Sequence, residues 1–255
     1  MYKGRTVAVV MPIHNEERQV ERAISRVPRF VDLIIAVDDG STDRTWEKLS
    51  RVANEKLTLL RHTANRGVGA ATKTGYRYSL QTEADLIAVM DGDGQMDGRD
   101  LERLLERAAS GVDYVKGNRF LHRETISEMP LARFIGNKIF SSLTRRAAAF
   151  GACLDAQCGY TVIRRGALKR LELDELYDRY GFPNDMLFAV CRAGLAVESA
   201  PVRSVYADEV SGINPLRVVP TILFLIARNF LRRKLKLRPA VELVAINQTE
   251  TRSGD

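Results

Sequence analysis

LIAVMDGDGQ, residues 86–95, is the stretch on which the reading of this chain turns. Leu86 to Met90 is a short, uncharged apolar run, the pattern of a strand covered on both faces. Asp91, Asp93 and Gln95 follow at alternate positions. A chain leaving a strand sends alternate side chains to one side, so three oxygen-bearing groups can converge on one hard cation. Such a site suits magnesium or manganese bridging a diphosphate. Gly92 and Gly94, lying between them, permit a tight bend and close approach of the backbone to a ligand. Taken alone, the same letters also spell an ordinary polar turn after a strand.

Working outward, the pattern recurs. Val7 to Met11, Leu33 to Val37 and Leu57 to Arg61 are further short apolar runs, and Glu16 to Arg26 and Gly69 to Leu80 have helical period. Alternation of this kind predicts an α/β fold with a mostly parallel central sheet and helices on both faces. In such sheets ligands collect at the carboxyl ends of the strands. HNEE (14–17), DDGSTD (38–43), NRGVG (65–69) and DGDGQ (91–95) each follow a strand and should meet on one edge. A helix from Asp100 to Ala109 and a strand near Val112 to Lys116 come next, then a less regular basic stretch from Arg119 to Arg146. AQCGYTVIRR (156–165) reads as a strand, RGALKRLEL (165–173) as a helix start, and YGFPNDMLFAVCRAG (180–194) as a loop entering a helix.

Each polar cluster has an ordinary reading beside the chemical one. One carboxylate of Asp38 and Asp39 could accept hydrogen bonds from a base or ribose, yet Ser41, Thr42 and Asp43 are also good turn and cap residues. NRGVGAATKTG (65–75) could turn free amides toward a phosphate. It approaches a dinucleotide fingerprint, but Thr72 stands at the third glycine and only Asp85 roughly matches a ribose-binding acid. An NAD-linked oxidoreductase would also leave DGDGQ without a role.

The 255 residues are 45% hydrophobic, enough for a folded core, with a formal charge of +7 and pI near 9.4. Excess positive charge favours polyanions: nucleic acid, anionic lipid headgroups or nucleotide diphosphates. Lys and Arg gather after Arg119 without a reading motif or interleaved aromatics, which argues against nucleic acid. Cys153, Cys158 and Cys191 match no zinc module and predict reduced thiols in a cytosolic setting. The N-terminal apolar run lacks a cleavage pattern, so no secretory signal is expected.

Near the C-terminus, the longest uncharged run, Val218 to Ala227, is half the ~20 residues that span a bilayer. Arg217, Thr221, Arg228 and Arg232 share one narrow helical face and apolar residues fill the rest. Two readings stand. One is an interfacial amphipathic helix anchored by Arg232, Arg233, Lys234, Lys236 and Arg238; the other is a core helix with a solvated basic end. The expected divisions are a catalytic domain over residues 1–212, this helix over 213–238 and a polar tail over 239–255.

In order and spacing, MPIHNEE, VDDGSTD, NRGVGAATKTG, MDGDGQ, GNRF and AQCGYTVIRR resemble the family 2 glycosyltransferases of the GT-A fold, over about Val7 to Asp208. Within that family the chain is similar to dolichyl-phosphate mannose synthases and bacterial polyprenyl-phosphate sugar transferases. The resemblance implies an inverting transferase that uses a UDP- or GDP-linked sugar, Mg2+ or Mn2+, and a lipid-phosphate acceptor. With the basic Arg119 to Arg146 stretch and the amphipathic C-terminal helix placing the site beside a membrane, a cytoplasmic protein peripheral to its inner face is expected. On the donor side the resemblance places Pro12, His14, Glu16, Val37, Asp39, Asp91, Gly92 and Asp93, with the metal held by Asp93 and Gln95 beside Asp91. Arg119, Arg133 and Asn137 would grip the acceptor phosphate, although Arg133 also reads as a solvated helix charge. Two departures stand out. Val210 and Gly212 flank Ser211 where a basic residue is expected, and Asp185 takes the place of the base in hydroxyl-using members. Catalysis is thus expected from Asp93, Arg119 and Asp185, the last as base for a hydroxyl acceptor or helper for a phosphate one. Asn184 or Asp185 could also serve only as a helix cap.

Overall fold

The structure, a computed structural model, describes residues 1–122, 131–148, 155–203 and 215–235. Its centre is a seven-stranded sheet in the order β3-β2-β1-β4-β6-β5-β7. The strands are β1 Val7–Ile13, β2 Leu33–Asp38, β3 Leu57–Arg61, β4 Leu86–Val89, β5 Tyr114–Asn118, β6 Thr161–Arg164 and β7 Val197–Pro201. The first four are parallel, with β1 between β2 and β4. β6 runs antiparallel to both β4 and β5, and β7 pairs parallel with β5.

The two-residue period of a strand explains the two cores. Val7, Val9, Met11 and Ile13 of β1 point to one face with Ile34 and Ala36 of β2, while Ala8, Val10, Ile35 and Val37 point to the other. Helices α1 (Val20–Ser25), α2 (Thr45–Arg51) and α4 (Leu101–Ala109) cover the first face. The second is covered by α3 (Val68–Leu80), α6 (Arg165–Leu168) and α7 (Phe182–Arg192). In α4, Leu101, Leu104, Leu105 and Ala108 form an i, i+3, i+4, i+7 stripe and all are buried.

Two further helices lie beside this body: α5 (Leu131–Ala148), inside the basic stretch that reads as irregular in sequence, and α8 (Pro215–Leu235). They pack against each other, and α8 also packs on α7. Its polar face turns inward. Arg228 pairs with the wholly buried Asp185, Arg192 Nη1 donates to Asn229 Oδ1 at 2.5 Å, and Arg232 lies 3.5 Å from Glu175. Of the expected basic anchor, Arg232 therefore has an acidic partner within the fold. Among the described residues, no helix is long and apolar enough to cross a membrane.

Candidate active site

The parallel strands β1, β2 and β4 end on one edge, and β1 is where the strand order reverses direction. The polar clusters meet there. Asp91 and Asp93 follow β4, with the Gly92 amide donating to the Pro12 carbonyl at 3.2 Å and the Gln95 amide to Asp93 Oδ1 at 2.9 Å. These bonds fold the DGDGQ turn against the end of β1. Burial, and next the negative charge of Asp93, push the Asp91 carboxyl up to about 7, against the opposing pull of Arg119 and Lys116. Gly159 sits over this carboxylate: a Cβ there would lie 2.9 Å from Asp91 Oδ2.

Behind the acid pair lies a buried cationic layer. Arg119 holds Asp155 through two nitrogens, Nε to Oδ2 at 2.6 Å and Nη2 to Oδ1 at 3.0 Å, and Asp155 has no exposed surface. Lys116 is also fully buried, donates from Nζ to the Cys158 carbonyl at 2.5 Å, and is lowered to about 8 by burial. Arg119, expected at an acceptor phosphate, is thus fixed by an acid that the sequence does not advertise. Tyr180 borders the same cleft. Its hydroxyl is raised by partial burial and then by Asp91, Glu16 and Asp93.

The acid pair fits a hard divalent cation. Two neighbouring carboxylates that resist joint ionisation are relieved by a cation between them, and Mg2+ is commonly bound by one or two carboxylates plus substrate phosphates. Among the described residues, no three His, Cys, Asp or Glu side chains group as a metal site.

At the end of β2, Asp38 and Asp39 part company. Asp38 accepts from the Ser41 amide at 3.2 Å and pairs with Arg61 at 3.0 Å, whose guanidinium stacks on Trp46. Asp39 accepts from His62 Nδ1 at 2.6 Å and from the amides of Arg66 at 3.0 Å and Gly67 at 2.6 Å. Gly67, with φ of +107°, caps α3, and a Cβ there would strike the Asp178 carbonyl at 2.5 Å. The glycine loop is therefore drawn to Asp39 and to the Tyr177–Asp178 segment.

The remaining expected residues fall on both sides of this edge. Pro12 is buried, His14 is half-buried with a buried Nδ1 lacking a hydrogen-bond partner, and the Glu16 amide donates to Thr45 Oγ1 at 2.8 Å. Val37 departs from expectation: its side chain is wholly buried in the second core, because it has the strand parity of Ile35, and it does not line the cleft. Asp185 also departs. It is enclosed by Arg228, by Asn229 at 3.4 Å and by the Tyr177 amide at 2.9 Å, so it faces α8 and not the acid pair. Asn137 is half-buried on α5; the Arg133 side chain, Cys153, Ser211 with its neighbours, and the basic residues from Arg233 onward lie outside the described residues. Lys116, Asp155, Gly159, His62 and Tyr180 are members of this neighbourhood that motif reading passes over. A lysine inside the strand-like VKGN is the one signal that could have flagged Lys116.

An acid pair at a strand's carboxyl end, on the edge where parallel strands reverse order, defines a nucleotide-dependent transferase site on a GT-A-like sheet. The chain belongs to glycosyl transferase family 2, whose profile it matches over residues 8–172, and it is a glycosyltransferase. It is 26% identical to the UDP-N-acetylglucosamine--dolichyl-phosphate N-acetylglucosaminyltransferase of Methanococcus voltae, over 80% of this chain and 87% of that protein. The undecaprenyl-phosphate mannosyltransferase of Micrococcus luteus is 29% identical over 77% of this chain and 82% of that one. In fold it is similar to the Mycobacterium tuberculosis glucosyl-3-phosphoglycerate synthase in complex with Mn2+, UDP and glucosyl-3-phosphoglycerate. That match has a TM-score of 0.63 and 20% identity, and covers 90% of this chain and 80% of that structure.

Proposed function

We propose that this enzyme transfers a sugar, with inversion, from a UDP- or GDP-linked donor to a polyprenyl phosphate while seated on the inner face of a membrane. One observation carries the reading. The helices α5 and α8 pack on α7 and on each other, and α8 presents an apolar outer face with Phe224 63% and Leu231 58% exposed, while α5 exposes Ile139, 53%, next to Lys138. Leu223, Phe230 and Ile135 add to the same helical surfaces. A contiguous apolar face beside a polar cleft is the arrangement that lets a lipid-borne phosphate reach a nucleotide site. The relatives named for dolichyl- and undecaprenyl-phosphate substrates support the same acceptor class.

A divalent cation held by Asp93, Asp91 and Gln95 would compensate charge on the departing nucleoside diphosphate. The chain's own groups do the rest. Asp39, Pro12, His14 and Glu16 border the donor, Gly92 lets the backbone approach it, and Arg119, fixed by Asp155, belongs to the buried layer behind the acid pair, with the acceptor side beyond it. Arg133 and Asn137 belong to the helix beside that side. A lipid phosphate with a second pKa near ~6 is already a dianion at neutral pH and needs positioning more than deprotonation. That agrees with Asp185 facing α8 instead of the cleft.

The test is transfer of radiolabelled sugar from UDP- and GDP-sugars with Mn2+ and polyprenyl phosphate, counting label in the organic phase. Metal-dependent organic label is expected. Donor hydrolysis with no lipid label would overturn the acceptor. Flotation with anionic vesicles at low salt tests the membrane seat, and failure to float would overturn it.

A further inference from the structure

Granting the metal site proposed above, we infer that Arg26 is a positioning residue for it: the guanidinium holds the turn from which Asp93 and Gln95 reach the cation. Arg26 caps the C-terminal end of α1, 68 positions before Gly94, and its Nη1 donates to the Gly94 carbonyl at 2.5 Å. Gly94 lies between the two residues and has a φ of +70°, a left-handed conformation open to glycine at no steric cost.

One peptide group carries the effect. The Gly94 carbonyl and the Gln95 N–H are the two ends of a planar unit, so whatever fixes one fixes the other. Arg26 holds the carbonyl, and the Gln95 N–H donates to Asp93 Oδ1 at 2.9 Å. The guanidinium therefore sets the direction in which the Asp93 carboxylate is drawn, and with it the point from which the Gln95 side chain starts.

Arg26 is itself firmly held. Its amide donates to the Arg22 carbonyl at 3.1 Å, and its own carbonyl lies so close to Gly98 that a Cβ has no room there. The same residue thus touches the loop at Gly94 and again at Gly98. Asp97, an acid within electrostatic reach, is taken up by Arg99 through bonds of 2.6 to 3.1 Å and leaves the guanidinium to the carbonyl. The Tyr160 hydroxyl donates to the Asp97 carbonyl at 3.2 Å and pins the far side of the loop. A bare positive charge here would act in the opposite sense: it would repel a divalent cation, and its removal would tighten binding. Holding the turn and merely being charged therefore predict opposite signs.

The measurement is Mn2+ binding to the intact protein with UDP and, separately, GDP, followed by electron paramagnetic resonance against a nucleotide blank. Arg26→Met should weaken Mn2+ by about tenfold to a hundredfold, the usual loss when a group that orients a metal ligand is removed. Arg26→Lys, whose ammonium can still donate to the carbonyl, should recover most of that loss. Nucleotide binding without metal, read by calorimetry, should be the same in Arg26→Met as in the unaltered protein. If it falls in step with Mn2+ binding, Arg26 supports the fold at large and the positioning role is overturned. Mn2+ binding unchanged or tightened in Arg26→Met would also overturn the inference, and would leave the metal site standing. Should Arg26→Met not fold, Arg26→Gln carries the same test with the same expected sign. No Mn2+ bound by the unaltered protein with either nucleotide would overturn the inference and the metal site together.

Discussion

The two sides of the cleft are built on different principles. On the donor side, strand ends carry polar groups that are buried and already answered: Asp39 by three donors, Asp155 by Arg119, Lys116 by a carbonyl. On the other side, α5 and α8 answer their inward polar groups but leave Phe224, Leu231, Ile135 and Ile139 facing outward. The donor side is thus complete within the chain and preorganised, as electrostatic catalysis requires. The helical side leaves large apolar side chains exposed.

The sharpest way to break this contrast is at its most buried ion pair. Asp155→Ala leaves Arg119 buried and uncompensated and should cost about 3–5 kcal/mol of stability. Thermal unfolding would show it, and a change within experimental error would mean that the donor side is not preorganised by its pairs. Asp93→Asn should lower transfer by about 10²–10³-fold with little loss of fold, the scale for removing one group that stabilises developing charge. Asp91→Asn should also lose transfer but gain stability. A carboxyl whose folded value lies above its unfolded one costs stability as pH climbs from 3.8 toward about 7. The gain of the asparagine variant should therefore grow through that window and level off above it, as melting temperatures across pH will show.

On the helical side the effects should move to the vesicle and leave the fold. Phe224→Glu combined with Leu231→Glu should reduce affinity for anionic vesicles by about tenfold or more, since each large apolar side chain withdrawn from lipid forfeits on the order of 1.5–3 kcal/mol. Melting should shift by no more than about 0.5 kcal/mol equivalent, because both positions are exposed. The smallest effect is expected at Arg232→Ala, whose pair with Glu175 is half-exposed and worth at most about 1 kcal/mol. If Arg232 proves as costly as Arg228, α8 is held along its whole polar face and not at Asp185 alone.

Strands β1, β2 and β4 were legible because each is a short apolar run followed at once by a polar cluster, and β3 because LTLLR repeats the spacing between helical stretches. β7 was not: VESAP is short, contains Glu198 and ends in Pro201, as an edge strand can. The helix α5 falls in the stretch that reads as less regular, with Gly136 and Asn137 in its first half, and its inner face is fixed by Thr144 meeting Asn184, 40 positions away. The amphipathic period of α8 was plain, but period alone cannot say which face turns inward. That is decided by Asp185, whose contact with Arg228 spans 43 positions. Arg119 read as an available cation for a similar reason, since Asp155 lies 36 positions downstream.

The antiparallel insertion of β6 has one more consequence. Lys116 of β5 sits opposite Thr161 of β6, so the chain between them leaves and re-enters the sheet at neighbouring points beside Asp91. The two ends of that excursion carry Arg119, Asp155 and Gly159, which meet one another or the acid pair, and α5 lies between them in the chain. Lengthening such an excursion costs little, about 0.6 kcal/mol per doubling. The stretch around α5 is in this sense an exchangeable cassette: a lineage could alter it while keeping the two fixed ends that flank Asp91.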